Sequence, residues 1–265
     1  SVTRGLRPYG SPKHIINSSE EYFTALGVQG IILDSAARRA AIQEQCARLA
    51  ASVGGRVPDD QALLDEATNL VETPTALRRR LEERYLSLPR EVLGTVMRKK
   101  QRYFAVEDAS GKLMPYFIAV RNGDDQHLNL VEHGNEQVLR ARFSDAEYFY
   151  AQDTQKSLED FKARLGTLTF HEKLGSMLDK NDRVASLIPS VGALLGVDAD
   201  TIAVAQRAAS FAKADLAAQM VVEMTSLQGT MGREYALLRG ESPAVADAIF
   251  EHWLPRGADD AFLGR

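Results

Sequence analysis

The sequence predicts an α+β protein that is mostly helical, with one small antiparallel β region in its N-terminal part. Apolar residues recur at helical spacing behind repeated N-cap residues, two aromatic and β-branched runs flank a turn, and no strand signal follows position 156. We therefore predict an α+β domain over 1–155 and an all-helical domain over 156–265.

Helical patterns occupy most of the first hundred residues. Ser18, with Glu21 three residues later, has the spacing of a capping box for a short helix. Asp34 or Ser35 is a suitable N-cap for a long helix over 36–52, which a glycine pair then ends. The remaining predicted helices of this part cover 60–71, 75–86 and 91–100, with prolines between them.

The clearest β signal lies over 102–106 and 116–120. Both runs are aromatic and β-branched, and the turn residues at 108–111 join them, so we predict an antiparallel hairpin. Helical periodicity returns over 131–139. Ser144 with Glu147 repeats the capping-box spacing and predicts that a new helix starts there.

The second half reads as helices punctuated by glycines. Leu158, Phe161 and Leu165 have helical spacing, and Ser242 followed by Pro243 is typical of a helix start. The pattern predicts helices only, without their arrangement in space.

Composition limits the classes of protein that fit. With 45% hydrophobic and 26% charged residues in 265, the chain can bury a core, and wholesale disorder is excluded. Lysine and arginine number 32 against 36 acidic residues, which gives a formal net charge of −4. A globally basic nucleic-acid coat protein is excluded, so any nucleic-acid contact must use local basic patches.

Cys46 is the single cysteine, so internal disulfides and cysteine zinc clusters are excluded and a reducing compartment is expected. No run approaches the ~18 to 20 apolar residues of a membrane helix, so we expect no membrane contact. The sequence starts at Ser1 without methionine or an apolar signal core, and we expect it to be a piece of a longer chain.

A basic cluster precedes the first strand of the hairpin. Arg98, Lys99, Lys100 and Arg102 are followed at once by Tyr103 and Phe104, a mixture that could hold phosphates and stack a base. A solvated helix end with its aromatic rings in the core explains the same residues about equally well.

A second basic pair, Arg140 and Arg142, precedes Ser144. On one continuous helix the two side chains would point about 200° apart. They could therefore share a phosphate only if the chain turns there, as the predicted cap suggests, and a role in structural salt bridges is the favoured alternative.

No self-contained active site is evident. The five histidines show no metal-ligand spacing, and there is no glycine-rich phosphate loop or nucleophile elbow, so no catalytic or metal-binding residue is predicted. His171 and Asp215 could both point into the helical half, which leaves a metal-dependent phosphohydrolase as an alternative. A structural role for both side chains is favoured.

Several short motifs lie on both sides of the predicted boundary and are informative through their order. Those before the predicted boundary are Leu88-Pro89-Arg90-Glu91-Val92-Leu93, Gln101-Arg102-Tyr103-Phe104, Val120-Arg121-Asn122-Gly123, Gly134-Asn135-Glu136 and Val138-Leu139-Arg140-Ala141-Arg142. Those after it are His171-Glu172-Lys173-Leu174-Gly175, Lys213-Ala214-Asp215-Leu216, Leu227-Gln228-Gly229 and Leu254-Pro255-Arg256. In this order the motifs resemble those of the β subunit of bacterial-type glycyl-tRNA synthetase, and a series of this length is far more specific than any one motif.

The resemblance implies an α2β2 enzyme that joins glycine to its tRNA with ATP and magnesium on the α subunit. It implies that the β subunit binds and positions glycine tRNA, in the bacterial cytoplasm or a plastid. It further implies that 1–155 resembles the B3/B4 region of phenylalanyl-tRNA synthetase, that 156–265 begins an HD-like domain, and that the family chain extends beyond both ends.

Two departures from the family pattern bear on the site. Lys100 stands where the family usually has histidine, and Ala214 replaces the histidine of the HD doublet, which argues against metal hydrolysis. The leading hypothesis is a tRNA-binding segment without a catalytic site of its own. The alternatives are an HD phosphohydrolase and a scaffold that holds the α subunit. The six expected tRNA contacts are Arg98, Lys99, Lys100, Arg102, Arg140 and Arg142.

Overall fold

The structure, a computed structural model, describes residues 1–257. The chain divides into two compact units, Ser1–Ser144 and Asp145–Arg265. This division lies within one long helix, about ten residues before the boundary that the sequence pattern predicts. The observed architecture is α+β and mostly helical, with small antiparallel sheets, as predicted.

The first unit begins with a short antiparallel ribbon and three capped helices. β1 (Val2–Arg4) pairs with β2 (Lys13–Ile15), and α1 (Ser19–Val28), α2 (Ser35–Ala51) and α3 (Gln61–Leu70) follow. The side chains of Ser18, Asp34 and Asp60 each accept a hydrogen bond from the backbone N–H three residues on. These caps confirm the predicted helix starts, because each satisfies an N–H that a helix end leaves without a partner.

A three-stranded antiparallel sheet has the strand order β3-β5-β4, formed by β3 (Pro74–Arg80), β4 (Phe104–Glu107) and β5 (Leu113–Asn122). β4 and β5 are the predicted hairpin. The predicted helix over 75–86 is wrong, because 74–80 pairs along its whole length with β5 and a 3₁₀ turn, Glu83–Ser87, follows. Pairing with a distant strand outweighs the high helix propensity of its alanine, leucine and arginine residues, because tertiary contacts readily override such propensities.

The sheet is packed on both faces, since alternate residues of a strand point to opposite sides. On one side, Ile118 packs with Cys46 of α2 and Leu63 of α3. On the other side, Phe117 stacks on Tyr103, with ring centroids 5.0 Å apart. This packing fixes the segment in which the predicted basic cluster lies.

α4 (Arg90–Thr95) continues into a π-helical turn, Val96–Lys100. α5 (Leu128–Asp153) is one helix, so the predicted break before Ser144 is wrong. The Ser144 hydroxyl lies inside this helix, 2.9 Å from the Tyr85 hydroxyl. A serine that hydrogen-bonds a tertiary partner can lie within a helix without capping it.

The second unit is helical apart from a hairpin of two very short strands, β6 (Thr169–His171) and β7 (Gly175–Ser176). The prediction that no strand follows 156 is therefore wrong at this point. The helices are α6 (Leu158–Arg164), α7 (Met177–Leu195), α8 (Ala199–Phe211), α9 (Gln219–Glu223), α10 (Thr230–Leu238) and α11 (Pro243–Glu251). No helix within residues 1–257 is long and apolar enough to cross a membrane.

A buried carboxylate organises part of the second unit. Asp153, the last residue of α5, accepts hydrogen bonds from the N–H groups of Gln219 and Met220, both at 2.8 Å, and from the Tyr235 hydroxyl at 3.0 Å. It thereby satisfies the backbone donors that begin α9 and fixes the position of a tyrosine on α10.

Candidate nucleic-acid interface

Arg98, in the π-helical turn, forms a two-point ion pair with Asp60. Its Nη2 donates to Oδ1 at 3.0 Å, and its Nε pairs with Oδ2. The same carboxylate caps α3 by accepting the Leu63 N–H at 2.9 Å. Partial burial acts to raise the pKa of the Asp60 carboxyl, but the hydrogen bonds from Arg98 and Leu63 outweigh it and lower that pKa. Arg98 therefore has a structural partner at a helix start.

Arg102 forms an ion pair with Glu66 on α3. The aromatic rings that follow it lie in the core: Phe104 is 4% exposed, and the buried Tyr103 hydroxyl donates to Asn135 Oδ1 at 3.0 Å. The alternative in which these rings point into the core is confirmed. Neither ring stands on the surface beside the basic side chains.

The two lysines of the cluster differ from its arginines in exposure. Lys99 and Lys100 are both exposed at the end of the π-helical turn. Lys100 makes no hydrogen bond or ion pair with any residue of the described part of the chain. Its ammonium group is therefore accessible to an external anion.

Arg140 and Arg142 lie on the uninterrupted helix α5. Their side chains consequently point about 200° apart, and the expected turn that would let them share a phosphate is wrong. Arg140 pairs with Glu82 at 2.8 Å and with Glu136 at 3.5 Å. Arg142 is exposed and has no ion-pair partner within residues 1–257. Arg140 thus fits the structural alternative, whereas Arg142 is accessible.

Three further arginines, Arg78, Arg79 and Arg80, lie on β3 and were not predicted as site residues. Arg79 pairs with Glu132 at 3.2 Å, and Arg78 lies over the Tyr116 ring, 5.3 Å from its centroid. The three consecutive arginines are evident in the sequence. The predicted helix over 75–86, however, assigns their side chains to the wrong faces. As a strand, β3 places Arg78 and Arg80 on one side and Arg79 on the other.

A cavity of about 170 Å³ lies beside the Arg98–Asp60 pair. Leu63 and Phe104 contribute apolar side chains to its wall, and a second arginine–carboxylate pair, Arg90 with Glu107, also lines it. Sequence reasoning missed this cavity because its walls come from three separate segments. Gly94, the second-last residue of α4, is a local signal, since glycine destabilises a helix relative to alanine and its missing side chain leaves space here.

The second unit places His171 and Asp215 in different surroundings. His171 is exposed, and its Nδ1 accepts the Lys173 N–H at 3.1 Å. Asp215 is buried, and its Oδ2 accepts the N–H groups of Gly229 at 2.5 Å and Gly232 at 3.1 Å. Burial raises the pKa of the Asp215 carboxyl to about 6. Residues 1–257 contain no group of three His, Cys, Asp or Glu side chains that could hold a metal ion.

Two other titratable groups have shifted pKa values with clear causes. His252 Nδ1 lies 2.6 Å from the Ile249 carbonyl, and its Nε2 lies 3.3 Å from Lys213 Nζ. Burial and the Lys213 charge lower the pKa of His252 to about 4. Burial raises the pKa of the Cys46 thiol to about 12, so this cysteine is a weak nucleophile.

Comparison with known proteins gives one consistent family. The family model described as glycyl-tRNA synthetase beta subunit matches residues 1–263. The chain is 46% identical to the glycine–tRNA ligase beta subunit of Clostridioides difficile over 98% of this chain and 38% of that protein. It is 47% identical to that of Halalkalibacterium halodurans over 88% of this chain and 34% of that protein. The chain thus spans little more than a third of the length of these relatives.

Proposed function

Because this chain belongs to the glycyl-tRNA synthetase β-subunit family, we propose that it binds glycine tRNA and positions it for glycylation on the α subunit. The match of the family model to residues 1–263 is the observation that carries this proposal. The chain contributes no catalytic group of its own in this scheme. Its part is to place the tRNA by contacts with phosphates and sugars.

The proposal includes partners beyond this chain. The relatives are named as β subunits of a glycine–tRNA ligase, which supports an α subunit as partner. In the scheme, two α and two β subunits assemble, the α subunits hold ATP and magnesium, and the enzyme works in a reducing cytoplasm or plastid. His171 and Asp215 do not favour the phosphohydrolase alternative, since the Asp215 carboxylate already binds two backbone N–H groups.

Among the six expected tRNA contacts, Lys100 and Arg142 are the best supported. Both are exposed, whereas Arg98, Arg102 and Arg140 already pair with carboxylates. A bound phosphate can therefore use the charges of Lys100 and Arg142 without breaking an internal ion pair. Such contacts release counterions from the RNA, so binding should weaken as salt rises.

The test is fluorescence anisotropy of labelled glycine tRNA against the chain at several salt concentrations. Lys100→Glu combined with Arg142→Glu should weaken binding and lower the salt slope by about two, since each phosphate-binding cation accounts for roughly one. Lys13→Glu combined with Arg48→Glu is the matched control, because it changes the net charge equally at exposed sites elsewhere. Equal slopes for the two double variants would reject these contacts, and no tRNA binding even at low salt would reject the proposed function.

A further inference from the structure

The cavity between α3, α4 and β4 is small and largely apolar. Its volume is about 170 Å³, and Leu63, Met97 and Phe104 line it. Sites that hold whole drug-sized ligands measure roughly 300–1,000 Å³. The cavity therefore fits one ring-sized part of a larger molecule, the rest of which would remain outside.

The polar groups of this cavity are two arginine–carboxylate pairs, Arg98 with Asp60 and Arg90 with Glu107. Both arginines are about half exposed, so this part of the cavity wall reaches solvent. Lys100 follows Arg98 by two residues and is exposed. A negatively charged chain held by Lys100 would therefore pass close to the cavity.

One oxygen of the Glu107 carboxylate has no hydrogen-bond donor among residues 1–257. The side chain is only 4% exposed, and Oε1 pairs with Arg90. The other oxygen, Oε2, has Arg56 Nη2 at 3.8 Å as its ion-pair partner, a distance too long for a hydrogen bond. Oε2 is not one of the fully buried polar atoms that lack a partner, so it keeps some contact with solvent and can accept a hydrogen bond from an incoming N–H group.

We propose that this cavity receives one unpaired cytosine, whose exocyclic amino group donates to Glu107. The inference rests on the proposed function and specifies the part of the RNA that is recognised. Carboxylates accept from the amino group of cytosine, whereas uracil presents a carbonyl oxygen at the same position. Unstacked bases are the usual targets of sequence-specific RNA recognition, and the apolar wall replaces the stacking that the base loses.

The experiment compares labelled cytidine and uridine hexaribonucleotides by anisotropy at one salt concentration, with the full chain. The two probes have equal length and charge and similar ring size, so phosphate contacts cancel in the comparison. We expect the cytidine hexamer to bind roughly tenfold more tightly. Equal affinities would overturn the cavity proposal.

Two variants test the site from opposite directions. Gly94→Leu places a side chain into the cavity, and a Cβ there meets no atom within 4 Å. Circular dichroism checks that the variant keeps its helix content. It should abolish the preference for cytidine and leave the salt dependence unchanged. Gly134→Leu on α5 is the matched control, since a Cβ there also meets no atom within 4 Å. Glu107→Gln should shift the preference toward uridine, because the new amide can donate to the uracil oxygen.

Glycine tRNA in the same assay separates the two proposals. Salt-dependent tRNA binding with equal hexamer affinities would overturn the base site and support the proposed function. Loss of tRNA and hexamer binding alike would overturn both. A cytidine preference that survives Gly94→Leu would also overturn the cavity as its origin.

Discussion

The Asp60 carboxylate has two structural tasks, because it caps α3 and pairs with Arg98. Arg98 was predicted as a tRNA contact. Replacing Arg98 removes only the ion pair, whereas replacing Asp60 removes both the ion pair and the helix cap. We expect Arg98→Ala to lower the free energy of unfolding by up to about 1 kcal/mol, as for other partly exposed ion pairs. Asp60→Ala should cost more, about 1–2 kcal/mol, because the cap is removed as well.

Urea denaturation followed by circular dichroism measures both values. Lys100→Ala is the control, since Lys100 has no ion pair in the described part of the chain and its replacement should leave stability unchanged. If Arg98→Ala were as neutral as Lys100→Ala, Arg98 would have no structural role.

Asp215 makes stability depend on pH in an unusual direction for a carboxyl group. Its pKa is raised to about 6 by burial, so between about pH 4 and 6 the folded state keeps a proton that the unfolded chain has released. The stabilisation that comes from this raised pKa is complete below about pH 4 and is lost as the pH rises through 6. Asp215→Asn keeps an oxygen acceptor and should remove this loss.

The free energy of unfolding of Asp215→Asn, relative to the parent, should therefore rise by about 3 kcal/mol between pH 4 and 7. His252 acts in the opposite sense, since its lowered pKa makes stability increase with pH over the same window. His252 is present in both the parent and Asp215→Asn, so its contribution cancels in the difference between their free energies of unfolding. Urea midpoints at four pH values measure this, and a constant difference would contradict a raised pKa for Asp215.

The arginine partners explain why sequence reasoning succeeds only in part at the site. The sequence locates the basic cluster, but the carboxylates that occupy its arginines lie far along the chain. Asp60 is 38 residues before Arg98, and Glu66 is 36 residues before Arg102. Local patterns contain no information on such pairs, so the sequence cannot separate accessible cations from internally paired ones.

The turn after α2 shows how one glycine lets two elements approach. Arg56 exchanges backbone hydrogen bonds of 2.7 and 2.8 Å with Glu107, and this bridge extends the edge of β4. A Cβ on the preceding Gly55 would lie 2.5 Å from Val106 Cγ1. Gly55 is therefore required by the close approach of the turn to the strand.

We expect Gly55→Ala to lower the free energy of unfolding by about 1–3 kcal/mol, the usual cost of overpacking. Gly94→Ala should instead raise it by about 0.5–1 kcal/mol, because this helix position has open space. Both changes restrict the unfolded chain alike, so their difference measures packing. Thermal and urea unfolding of the two variants measure it, and equal effects would contradict the close approach at Gly55.

Elements with local signals were predicted well, and elements defined by distant pairing were not. The caps of α1, α2 and α3 and the β4–β5 hairpin depend on residues a few positions apart. β3 was assigned to a helix because its pairing with β5 involves residues about forty positions away. The break predicted in α5 failed similarly, since the partner of Ser144 is Tyr85, 59 residues earlier.

For the whole chain, the order of many short motifs identified the family, although no single motif indicates a reaction. The family match over residues 1–263 agrees with that resemblance.

The net charge of −4 bears on tRNA binding, because an acidic molecule repels RNA at long range and attracts it only near local basic groups. The cavity lined by Glu107 could not be predicted from the sequence, since its walls come from segments that extend from Val57 to Leu113.

Asp153 also determines whether α9 can be stable as a helix. α9 has only five residues, too few for a helix to persist alone, and the carboxylate that holds its first N–H groups lies 66 residues earlier. Closing a loop of that length costs chain entropy before the carboxylate reaches these N–H groups. α9 therefore requires the contacts with Asp153 for its stability, and we expect it to form together with them and not by itself.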